Sequence, residues 1–63
     1  RPEETARSHA KVFEEALKTA EAMKAHARVL DRIRLMQKYW DYDYSPEEAL
    51  QILFNSYGLK RGG

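Results

Sequence analysis

Between Glu3 and Tyr44 the chain contains no Gly, no Pro and no Asn, and Ser8 is the last Ser before Ser45. Those residue types make most turns, because they reach left-handed backbone conformations or offer a side chain to the local backbone. Their absence over so long a stretch leaves few folds open. Helix formers fill the space instead, with seven Ala between positions 6 and 27.

The apolar residues hold a helical phase through the same stretch. Ala6, Ala10, Phe13, Leu17, Ala20, Met23, Ala27, Leu30, Ile33, Met36 and Trp40 follow one another in steps of 4, 3, 4, 3, 3, 4, 3, 3, 3 and 4. That spacing lays one stripe along a helix. Three successive steps of 3 break a strict heptad, so the pattern is an amphipathic helix rather than a zipper. Pro2 suits the first helical position, and Glu3 and Glu4 follow where negative charge meets the positive end of the helix dipole.

The stripe ends at Asp41-Tyr42-Asp43-Tyr44. Ser45-Pro46-Glu47-Glu48 then predicts a second helix start, with Ser45 as N-cap, Pro46 as first helical residue and Glu48 closing a capping box. Ser45 is expected to accept from the Glu48 amide. This helix is expected to run to about Tyr57. Gly58 is placed to end it in a left-handed conformation, with Leu59 as the apolar residue that follows such an end. Lys60 to Gly63 reads as a frayed tail.

The expected fold is therefore all-α: a long amphipathic N-terminal helix over about 2–40 and a short capped C-terminal helix over about 46–57. A 39-residue helix would be roughly 58 Å long. One short helix cannot cover its stripe, so the chain is expected to pack as an antiparallel helical oligomer. The charge blocks fit that arrangement. Residues 24–40 carry five basic side chains against Asp31 alone, whereas the flanking blocks lean acidic. The alternative is a monomeric three-helix bundle with a break near 23–28, although Met-Lys-Ala-His-Ala-Arg holds no turn residue.

Length and composition bound the rest. The 63 residues make one small domain, residues 1–63, and a core of that size leaves little surplus stability. No Cys is present for a disulfide or thiolate metal site, and two His do not make a zinc site. Five Gly and Pro together, with seven aromatics, argue against a low-complexity or disordered chain. No apolar run approaches the ~18 residues of a membrane span, so no membrane partner is expected. A start at Arg1, without an initiator Met or a signal-peptide pattern, predicts a cut fragment, a processed product or a tag-cleaved chain. Gly62-Gly63 reads as the edge of such a cut. The absence of Cys is compatible with the cytoplasm.

The residues give little chemistry. His9 and His26 lie 17 positions apart, without a carboxylate at ligand spacing on a buried face. The neighbouring pairs Glu3-Glu4, Glu14-Glu15 and Glu47-Glu48 point about 100° apart on a helix and do not converge. No phosphate loop or nucleophile elbow is present. A chain this small does not enclose an ordinary substrate pocket. No enzyme activity, catalytic residue, metal or cofactor is expected.

Two features suggest recognition. Tyr39-Trp40-Asp41-Tyr42-Asp43-Tyr44 places four aromatics and two carboxylates in six residues. Such rings supply rigid contact area, or else they seal the end of a core. The second helix is apolar around most of its circumference, so it is buried on more than one side. Its Leu50-Gln51-Ile52-Leu53-Phe54 run has the spacing of groove-binding peptides, though a core role explains it as well. The expected function is a non-enzymatic helical module for protein–protein interaction and self-association, probing a partner with Leu30, Ile33, Met36, Tyr39, Trp40, Tyr42, Leu50, Leu53 and Phe54. Its partners would be a second copy, as an antiparallel dimer, or another protein, with Leu30 and Ile33 at the self-contact.

One alternative is a small nucleic-acid-binding domain. Lys24, Arg28 and Arg32 make one basic stripe, and Arg34 with Lys38 a second, as phosphate contacts require. The pI near 8.3 is low for such a module. Another alternative is an engineered helical protein or binder.

Overall fold

The computed structural model describes residues 2–60, with side chains from Glu3 onward. These residues form three helices and no strand: α1 (Pro2–Ala22), α2 (Ala27–Lys38) and α3 (Pro46–Ser56). Apart from Lys60, the expected frayed tail lies outside the described residues, as do Arg1 and the Gly62-Gly63 edge. The helical class is as expected; the 2–40 helix is not. It breaks at residues 23–26, and the three-helix alternative fits. The molecule's longest dimension is 34 Å, well short of the roughly 58 Å of an unbroken helix.

The break is made without any of the usual turn residues. Lys24 takes φ +55°, in the left-handed region. The Ala25 amide donates to Ala20 O at 2.9 Å and the Lys24 amide to Glu21 O at 3.0 Å. This is the paired bonding of a Schellman end, which satisfies carbonyls that the terminating helix would orphan. His26 then caps α2: its Nδ1 accepts from the Arg28 amide at 3.1 Å. An imidazole thus does the work usually given to Ser, Thr, Asp or Asn.

The end of α3 repeats the device with ordinary chemistry. Leu59 donates to Phe54 O at 2.8 Å, Gly58 donates to Asn55 O at 3.0 Å, and Gly58 has φ +69°. Here Gly bears no Cβ penalty, whereas Lys24 does. Lys24→Gly should therefore stabilise the fold, by about 1 kcal/mol after the added freedom of the unfolded chain is subtracted. Urea denaturation followed by the fluorescence of Trp40 checks this; a lower midpoint would contradict the account of the corner.

Ser45 is the N-cap of α3, with Pro46 first in the helix. Its Oγ accepts from the Glu47 amide at 3.4 Å, not from Glu48 as the capping-box pattern suggests. A bond this long is weak. Ser45→Ala is accordingly expected to cost only about 0.5 kcal/mol, the low end of the range for caps; a loss well above 1 kcal/mol in the same denaturation assay would show a stronger cap.

Phe13, Ala16 and Ala20 of α1, Val29 and Ile33 of α2, and Leu50 and Phe54 of α3 form the buried core. Each helix packs on both others. The continuous stripe predicted Leu17 and Leu30 as inward residues, yet these are only partly buried, and Ala16 and Val29 face in. The stripe does pass through Phe13, Ala20 and Ile33 of the core; it errs by one position at Leu17 in α1 and at Leu30 in α2. Alanines at the centre of α1 let its neighbours come close.

Between α2 and α3 the chain is tied down locally. Asp43 N donates to Asp41 Oδ1 at 3.0 Å and Tyr44 N to Asp41 O at 3.1 Å. The Trp40 indole donates to Tyr44 O at 2.7 Å. These bonds fold the aromatic segment into a corner.

Candidate interaction surface

The sequence-derived residues divide by burial. Ile33, Leu50 and Phe54 are in the core, fully covered by their own chain. This corrects their expected part in a contact between chains: three helices folded together already bury them. Leu30, Met36, Trp40 and Leu53 are partly buried and pack against that core. Tyr39 and Tyr42 are exposed, as are Tyr44 and Tyr57.

The aromatic corner has one ring turned to the core and others left exposed. Trp40 meets Phe13 edge to face, with centroids 5.6 Å apart and planes at 71°, and so seals the core. Tyr42 stacks on His9 of α1 at 5.9 Å and 21°. These rings, with Ala6, Ala10 and Gln37, line a hollow of about 140 Å³. His9 Nδ1 is enclosed there without a hydrogen-bond partner. Tyr39 projects outward, 72% exposed, with the Lys38 ammonium 5.4 Å from its ring centroid.

A larger groove, about 370 Å³, runs between α2 and α3 and is lined by Arg32, Met36, Ala49, Ile52, Leu53 and Ser56. Only Met36 and Leu53 of these belong to the sequence-derived interaction set. Ile52 was missed there because on a helix apolar nearly all round, no residue stands out as the one left over. It is 61% exposed, a large aliphatic side chain with no covering element. Leu35, one residue before Met36, is 50% exposed. Covering the exposed remainder of either side chain would contribute about 1–1.5 kcal/mol, so the folded chain leaves apolar area unused at these positions.

The cations are distributed unevenly around this groove. Lys24, Arg28 and Arg32 are all exposed. Arg28 and Arg32 stand one helical turn apart on the same side of α2. Arg34 bridges Asp31 at 3.4 Å, and Lys38 lies by Tyr39, so the second basic stripe is partly engaged. No acidic side chain lines the groove, and its one charged wall is cationic.

Among the described residues no cluster of three or more His, Cys, Asp or Glu is arranged to hold a metal ion, and no helix is long and apolar enough to cross a membrane. The fold and its surfaces define a small three-helix bundle with an open groove. No family model, curated protein or solved structure matches the chain.

Proposed function

We propose that this chain is a non-enzymatic protein–protein interaction module that docks the apolar face of an acidic amphipathic helix in the α2–α3 groove. The observation that carries this reading is the exposed Ile52 beside a groove whose floor is apolar and whose single charged lining residue is Arg32. A helix laid along such a groove places apolar anchors at i, i+3 or i+4 and i+7. Its flanking carboxylates would meet Arg32 and Arg28, which favours an acidic partner and speeds encounter.

The test uses a synthetic amphipathic peptide with Leu at those positions and Glu on its flanks, titrated into the isotope-labelled chain. Amide shifts are expected at Met36, Ala49, Ile52, Leu53 and Ser56. Ile52→Asp should abolish them. Shifts confined to another face, or none up to millimolar peptide, would overturn the reading. The basic stripe has weaker support as a phosphate surface, since Arg34 is paired with Asp31. Binding to generic nucleic acid is expected to be absent at physiological salt; a sub-micromolar complex with a steep salt dependence would favour that alternative.

A further inference from the structure

We infer that the helix this groove takes is α3 of a second copy, in a two-fold symmetric, antiparallel α3–α3 dimer centred on Ile52. The inference rests on the groove reading above and names its occupant.

A two-fold interface requires one surface to carry both halves of the complementarity. The exposed face of α3 does so. Glu48 and Ile52 are separated by one helical turn, and both are exposed. They give α3 an apolar knob with a carboxylate beside it, which is the chemistry the groove lacks. Arg32 and Ser56 both line the groove that Ile52 borders.

The register follows from helix geometry. When two copies of α3 cross antiparallel at Ile52, positions four residues before and four residues after the crossing face each other. Glu48 of one copy then lies beside Ser56 of the other, where Arg32 shares the groove wall. The same contact occurs a second time by symmetry. Ile52 of each copy is covered by the other, over Met36 and Leu53. Arg28 extends the cationic wall by one turn, toward Glu47 and Glu48 of the opposing copy.

Size sets the strength. A face amounting to about a tenth of the surface of a small protein, taken against 4931 Å², would bury about 1,000 Å² in total over both copies. That is the low end for specific association. A weak dimer is expected, with a dissociation constant of roughly 10–100 µM.

Sedimentation equilibrium of the full chain from 10 µM to 1 mM tests this. The mass should rise from 7.4 kDa toward twice that value across the range. Ile52→Asp should stay monomeric throughout while its thermal unfolding remains cooperative, since the side chain is already exposed. Arg32→Glu and Glu48→Arg should each weaken association by roughly tenfold, because each creates two repulsive contacts. The combined variant should return to within about threefold of the parent, because reversing both charges restores the pair.

A parent chain that is monomeric at 1 mM overturns the inference. So does a dimer that survives Ile52→Asp, or a combined variant no better than either single one. Failure here is separable from failure of the groove reading. A monomer at 1 mM that still takes up the acidic peptide rejects the second copy and keeps the groove; a monomer that ignores the peptide rejects both.

Discussion

Phe13→Ala should destabilise the fold by about 3–5 kcal/mol and leave the chain without a cooperative unfolding transition at room temperature. Phe13 is 1% exposed and is the residue through which α1 meets Trp40 at the end of α2. Its removal takes away apolar burial, the edge-to-face contact and the packing that keeps Trp40 oriented toward Tyr44 O. A 63-residue domain has about 3–9 kcal/mol of total stability at the usual range per residue. The loss is therefore comparable to the whole. Trp40 fluorescence against urea measures it: a broad, non-cooperative curve is expected, and a sharp transition within 1 kcal/mol of the parent would contradict the assigned core.

Ala16→Leu should cost about 1–3 kcal/mol through overpacking. Ala16 is wholly buried in a core shared with Phe13, Ala20, Val29, Ile33, Leu50 and Phe54, where three added carbons must displace neighbours. Ala22→Leu, at an exposed position of the same helix, serves as control and should stay within about 0.5 kcal/mol of the parent. Equal effects at the two sites would show that Ala16 does not mark a close approach of helices.

The start and end of α3 were legible in the sequence because each uses a residue with one dominant structural meaning. Pro46 fixes a first turn, Ser45 caps it, and Gly58 with Leu59 ends it. The helical character of the remainder was equally plain from the spacing of its apolar residues. The corner at 23–26 was not, because Lys24 and His26 are placed there against their usual preferences. Lys takes a left-handed conformation at a penalty, and His is an uncommon cap; neither marks a turn by its type. The corner is held by its own Schellman bonds and the His26 cap together with the packing of α1 against α2, none of which shows in residue type. The same cause hid Ala16, whose small side chain carries little hydrophobic weight in a sequence pattern but allows close contact in three dimensions. The groove was half legible: Met36 and Leu53 belong to the interaction set, while Ile52 is distinguished only by being left uncovered.

The corner at Lys24 also fixes what the native state competes with. Residue preference across residues 2–40 favours a straight helix; the Schellman bonds and the His26 cap close the corner locally, and packing of α1 on α2 keeps it. Loosening those contacts leaves a chain that still carries strong local helix preference in both segments. A core-weakened variant such as Phe13→Ala should accordingly lose its fixed Trp40 environment well before it loses backbone helicity. The far-ultraviolet and fluorescence curves would separate, and the gap between them would measure how much helix persists without the packed core.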